Sequence, residues 1–223
     1  MKKLLVAVAI TGLVGTTNAQ STFEGAYGQL GIGYENNDIS SYTLTTTFGP
    51  VTVNSANSGS FSGVIGLGYN FAITKVFLLG VGADYGVVPS STFNSNAQFD
   101  NVLGSKVSNR YNIFVTPGYA IDKNKLAYLK AGYSSQLLKI TNQTSGTSTV
   151  GETIGSGNVN GYVLGLGYKQ MVQSGFYGFA EANYYSYSSA SFGSRTVSNG
   201  NVIANVNPKS SAYQFLIGVG YKF

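Results

Sequence analysis

Phe223, Tyr221, Val219, Ile217, Phe215 and Tyr213 form an every-second-residue apolar ladder that runs to the last position of the chain. Between them stand Lys222, Gly220, Gly218, Leu216, Gln214 and Ala212, which are mostly tiny or polar. A period of two sends these sets to opposite faces of one strand. The apolar face is wholly apolar to its end, so the expectation is that lipid covers it while the other face looks into a packed or wet lumen. Strands can cross a bilayer only if every backbone polar group is paired internally, and that requires a closed barrel.

The start of the chain says where such a strand would go. Lys2 and Lys3, the apolar stretch Leu4 to Val14 and the small residues of Thr17-Asn18-Ala19 have the order of a secretory signal, with cleavage expected after Ala19. Residues 1–19 are therefore read as a cleaved leader and 20–223 as one barrel domain. The apolar stretch is too short for a spanning helix, and no later stretch approaches the roughly 20 apolar residues such a helix needs. No Cys follows it to carry a lipid anchor. Only 9% of residues are charged, against 30 Gly, 17 Tyr and 13 Phe, a scarcity unusual for a water-soluble domain. Removing Lys2 and Lys3 leaves 11 basic against 8 acidic residues, and these are too dispersed for nucleic-acid binding.

A weak repeat organises the rest. Leu30-Gly31-Ile32-Gly33-Tyr34, Ile65-Gly66-Leu67-Gly68-Tyr69, Leu164-Gly165-Leu166-Gly167-Tyr168 and Ile217-Gly218-Val219-Gly220-Tyr221 each send two glycines to one face and the apolar residues to the other. Around them the alternation predicts eight strands, at about 24–35, 60–71, 76–87, 106–120, 126–138, 158–169, 175–187 and 211–223. The connections alternate between short and long, the long ones covering 36–59, 88–105, 139–157 and 188–210 and dominated by Ser, Thr, Asn and Gly. That rhythm matches short periplasmic turns and long extracellular loops, and an even strand number puts both termini on the periplasmic side.

With strands running alternately up and down, the outward aromatics fall into two rings. Phe77, Phe176, Tyr69, Phe71, Tyr119, Tyr168, Tyr221 and Phe223 gather at one end; Tyr34, Phe61, Tyr85, Tyr111, Tyr133, Tyr162, Tyr184 and Tyr213 gather at the other. Aliphatic and small residues such as Leu67, Ile113, Leu129 and Val219 lie between. Two aromatic girdles around an aliphatic belt suit the two membrane interfaces. The competing fold is a soluble lipocalin-type barrel with its apolar face turned inward, but the opposite face is then too small and too poor in charge to meet water. The fold class expected is all-β, an eight-stranded antiparallel up-and-down transmembrane β-barrel.

The inward face carries Gln29, Asp84, Arg110, Asn112, Lys130, Gln136, Glu181, Asn183 and Gln214, with Phe114, Tyr128, Tyr177 and Phe179 for bulk. Asp84, Arg110, Lys130 and Glu181 are close enough in a narrow barrel to form a neutralised network. Such a network is either a plug that fixes the register or a constriction that selects solutes. The inward glycines leave room for a wet vestibule toward the periplasmic half, though glycine also eases the bending that closure needs. With no His and no Cys there is no Ser-His-Asp or Cys-His arrangement and no zinc site, and no Gly-x-Gly pair continues into a nucleotide fingerprint. No catalytic residue, metal or cofactor is expected. In the loops, Phe48, Phe93, Phe99 and Phe192 are candidates for binding a partner, unless they fold back on the rim.

These residues resemble the small eight-stranded outer-membrane barrels of Gram-negative bacteria, the opacity-type or outer membrane protein β-barrel domain family, over Glu24 to Phe223. The resemblance implies that Phe215, Ile217, Val219, Tyr221 and Phe223 are the signal read by the barrel assembly machinery. It also implies an outer-membrane location with lipids as neighbours, and roles that range from surface antigen and adhesin to structural protein and narrow pore. The function expected is structural or surface-interactive through four polar loops facing an unidentified extracellular ligand, the alternative being a porin-like diffusion channel.

Overall fold

The structure, a computed structural model, describes residues 22–96, 101–144, 152–196, 202–204 and 206–223. Among the described residues there are thirteen strands: β1 (Gly25–Ile39), β2 (Tyr42–Thr46), β3 (Gly49–Val53), β4 (Ala56–Ala72), β5 (Phe77–Gly86), β6 (Ser90–Asn96), β7 (Asn101–Asp122), β8 (Lys125–Thr144), β9 (Glu152–Gln173), β10 (Phe176–Tyr187), β11 (Arg195–Thr196), β12 (Val202–Ala204) and β13 (Ser210–Lys222). Strands β1, β4, β5, β7, β8, β9, β10 and β13 form an antiparallel ring closed by the β5–β7 pairing. β6 continues the line of β5 and pairs with β7. The eight expected strands are these eight. The signal segment 1–19 lies outside the described residues.

Alternation places the side chains as expected. Leu67, Leu129, Ile217 and Val219 are all more than 60% exposed on the outer face, while their neighbours in sequence point inward. Around the ring the aromatic girdle of the long-loop end is built from direct cross-strand partners: Tyr34 with Phe61, Tyr85 with Tyr111, Tyr133 with Tyr162 and Tyr184 with Tyr213. Aromatic pairs opposite each other contribute beyond their burial. The short-turn end repeats the device with Phe77 opposite Tyr119 and Phe176 opposite Tyr221, ring centroids 5.3 Å and 4.8 Å apart.

The long connections differ from the expected polar loops. β7, β8 and β9 continue well past the tyrosine girdle, and β2, β3, β11 and β12 form a separate four-stranded sheet. The physical reason is in the composition: threonine and valine pack well on a pleated surface, and Tyr42-x-Leu44 and Val51-x-Val53 bury alternate side chains. Those four residues join Ile39, Leu138, Ile140, Ile154, Phe192 and Val206 in an apolar core at the long-loop end. A second apolar core, including Phe23, Leu78, Leu126, Tyr177 and Leu216, fills the short-turn end.

Asn109 has φ 51°, the left-handed region that asparagine tolerates, and pairing between β7 and β8 shifts there. Below it Arg110, Asn112 and Phe114 face inward; above it Val107 faces inward and Lys106 outward. Unbroken alternation from Arg110 would have turned Lys106 into the lumen.

Candidate functional site

The lumen between the two apolar cores is filled by charged and amide side chains. Gln29, Asp84, Arg110, Asn112, Lys130, Gln136, Glu181, Asn183 and Gln214 are all buried there, at the positions that alternation assigns. Lys130 Nζ bridges two carboxylates, donating to Asp84 Oδ2 at 2.7 Å and Glu181 Oε1 at 2.9 Å. Glu181 also accepts from the Tyr128 hydroxyl at 2.7 Å and from Asn183 Nδ2 at 2.7 Å. Asn112 Nδ2 donates to Asp84. Carboxylates from β5 and β10, on opposite walls of the ring, thus meet at a single ammonium from β8 midway between them, with the Phe114 ring centroid 4.2 Å away.

Arg110 belongs to a second cluster rather than to that one. Its guanidinium pairs with Glu35, donates to Gln136 Oε1 from Nε (3.0 Å) and Nη2 (2.9 Å), and lies 4.4 Å over the Tyr185 ring. Gln214 ties the clusters together, donating to Glu35 Oε2 at 2.9 Å and Ser62 Oγ at 2.8 Å while accepting from Asn183 and Tyr185. The four expected charges are therefore brought together only in part: Asp84, Lys130 and Glu181 touch, and Arg110 takes its own acid. A buried ion pair is held only when its remaining hydrogen-bonding groups are met, and here Asn37 and Gln136 meet them.

Two charged groups of the lumen escaped the sequence reading. Glu35 closed the expected first strand, where an acid is easily taken to face water; β1 runs on to Ile39 and carries it inside. Lys169 stood likewise at the expected end of its strand, but β9 extends to Gln173. Its ammonium sits 3.8 Å from the Tyr27 ring centroid, 4.9 Å from Tyr177 and 5.4 Å from Tyr128, a cation held by ring faces. The period of two was the available signal, since Gly31, Gly33 and Glu35 share a face, as do Gly165, Gly167 and Lys169. With both included, three buried acids balance three buried bases among the described residues.

The inward glycines do not leave a vestibule. Inward aromatic residues stand directly opposite them on the adjacent strand: Tyr27 opposite Gly68, Phe114 opposite Gly82, Tyr128 opposite Gly167, Phe179 opposite Gly218 and Tyr177 opposite Gly220. In each case the ring lies where a β-carbon would be, as at Gly68, where that carbon would stand 2.6 Å from the Tyr27 hydroxyl. Glycine here is a seat for a ring. A cavity beside Glu35, Asp84 and Asn112 has about 20 Å³ of free space, about what one water needs.

The loop aromatics separate. Phe48, at the β2–β3 turn, is 79% exposed. Phe192 is buried, its ring packed against Gly155 and Gly157, which is the fold-back alternative and removes it from the exposed binding candidates. Phe93 lies within β6, and Phe99 lies outside the described residues. Phe215, Ile217, Val219 and Tyr221 face outward along β13, with Phe223 just past its end.

A ring of eight strands, two aromatic girdles and an interior packed with buried side chains describe a membrane barrel, and comparison places it. The profile of the "Outer membrane protein beta-barrel domain" family matches residues 5–223. The chain belongs to that family. No curated protein matches this barrel. Among solved structures, the outer membrane protein OprG from Pseudomonas aeruginosa is similar at 11% identity and TM-score 0.53, covering 92% of this barrel and 98% of that chain. The outer membrane protease OmpT from Escherichia coli is similar at 8% identity and TM-score 0.53, covering 91% and 98%. Ail, the attachment invasion locus protein of Yersinia pestis, matches at 14% identity and TM-score 0.47, covering 90% and 99%. At such identities the likeness is one of fold.

Proposed function

We propose that this outer-membrane barrel is closed along its axis and works at its surface end, as a pedestal that presents the β11–β12–β2–β3 sheet to a ligand outside the cell. The observation that carries this reading is the filled lumen: an apolar core at each end and, between them, buried acids and bases, of which Glu35, Arg110, Asp84, Lys130 and Glu181 are hydrogen-bonded while Lys169 is held by tyrosine rings. The long-loop end is then extracellular and both termini periplasmic, in keeping with the short turns at residues 73–76, 123–124 and 174–175. Phe48 at the hairpin tip is the contact residue to test first, because a large ring exposed on an otherwise polar sheet is a binding group without a cover. Outer-membrane lipids surround the aliphatic belt, and the barrel assembly machinery reads the Phe215-to-Phe223 ladder during biogenesis. A non-enzymatic role accords with a chain that has neither His nor Cys.

Liposome swelling tests the reading against the channel alternative. Liposomes bearing the refolded barrel should take up arabinose no faster than protein-free liposomes; uptake that scales with the amount of barrel would overturn it.

A further inference from the structure

Lys106 of β7 and Lys139 of β8 are direct cross-strand partners, both exposed on the outer wall. Like charges set opposite each other destabilise a sheet. The arrangement is also not forced by the alternation of β7, because only the left-handed bulge at Asn109 turns Lys106 outward to meet Lys139. Among the described residues no carboxylate pairs with either ammonium, and the neighbouring outward positions Leu137 and Ser156 carry no charge. Two unneutralised ammonium groups held side by side by a bulge make a receptor for an anion with several oxygens.

Their height says which anion. Lys139 stands six positions beyond the girdle residue Tyr133 on β8. That is about 20 Å along the strand and, with the tilt of a membrane barrel, about 15 Å above the ring of tyrosines that marks the interface. Phospholipid head groups extend only about 5–7 Å beyond the hydrocarbon. At 15 Å the anionic groups within reach are the phosphates of the sugar core carried by outer-leaflet glycolipid.

We propose that Lys106 and Lys139 form a clamp for a phosphorylated sugar of the outer-leaflet glycolipid, fixing the extended wall of the barrel in the sugar layer. This rests on the extracellular placement of the long-loop end proposed above. Labelling of Lys139→Cys by a membrane-impermeant maleimide on intact cells reports that placement by itself. The clamp is tested on the full refolded barrel in detergent, titrated with purified glycolipid bearing a phosphorylated core, the same glycolipid after dephosphorylation, phosphatidylglycerol, and inositol hexakisphosphate as a free phosphate source. The K106Q/K139Q variant should bind phosphorylated glycolipid about thirtyfold more weakly, at about a factor of five per lysine. Dephosphorylated glycolipid and phosphatidylglycerol should bind both proteins alike. Without glycolipid the variant should be at least as heat-stable as the parent, since the repulsion is gone. Equal affinity of parent and variant for phosphorylated glycolipid would overturn the proposal. An equal loss toward phosphatidylglycerol, or binding of inositol hexakisphosphate as tight as that of glycolipid, would overturn the assignment to the sugar core.

Discussion

Lys130 and Lys169 are both buried in one lumen and are held by different forces, so their removal should have different consequences. Lys130→Met leaves Asp84 and Glu181 facing each other without a cation, and breaking a buried pair in this way costs about 3–5 kcal/mol. Lys169 has tyrosine rings around it and, among the described residues, no carboxylate paired with it, so Lys169→Met forfeits a cation–π contribution of about 2 kcal/mol and recovers the cost of burying the charge. Urea unfolding in lipid vesicles should show a large loss for the first and a small change of either sign for the second. A ring seat is tested the same way. Gly167→Ala forces the Tyr128 ring off its place and strains its bond to Glu181, a loss of about 1–3 kcal/mol, whereas Gly178→Ala on the outer face of β10 meets nothing nearer than 3.9 Å and should be silent. Which residues enter the lumen was legible wherever alternation was unbroken, as for Asp84, Lys130 and Glu181. Which of them pair was not, because partners such as Arg110 and Glu35 lie 75 positions apart and meet only through the closure of the ring.

At the scale of elements, the eight membrane strands could be read because lipid outside and glycine or polar groups inside impose a strict period of two on each. The strands beyond the girdle carry no such contrast. Tyr42, Leu44, Val51 and Val53 alternate with threonine and proline over short stretches, which composition presents as loop. The girdle pairs are a direct test of how aromatic residues join neighbouring strands. Tyr184 and Tyr213 lie with ring centroids 4.9 Å apart, and a double-mutant cycle to alanine should return a coupling of about 0.5–1 kcal/mol. The outer sheet should respond to alkaline pH. Burial pushes the Tyr42 hydroxyl from its ordinary 10.0 up to about 12. The folded sheet therefore holds the proton that the unfolded chain releases first. The stability this residue contributes is complete below pH 10 and lost as the pH climbs toward 12. Limited proteolysis across that window should show the hairpin loosening in the parent and less steeply in Tyr42→Phe.

For the whole molecule the deciding feature is the filled lumen. Two apolar cores cap a polar middle in which three buried acids face three buried bases among the described residues, so on the proposed reading the interior serves the barrel's own stability and contact with a ligand falls to the exterior. The membrane barrel was foreseeable from the sequence because its cause, the terminal apolar ladder repeated strand by strand, is local. A plug was one of the two readings that the lumenal charges left open; what could not be read is how rings from one strand occupy the glycines of the next, which on the proposed reading closes the axis. Single-channel recording of the refolded barrel in a planar bilayer, with Glu181→Gln alongside, tests this claim most directly. A silent bilayer from protein that still shifts on heating in a gel, with Glu181→Gln silent too but easier to unfold, is the predicted result; discrete conductance steps whose ion preference changes in Glu181→Gln would contradict it.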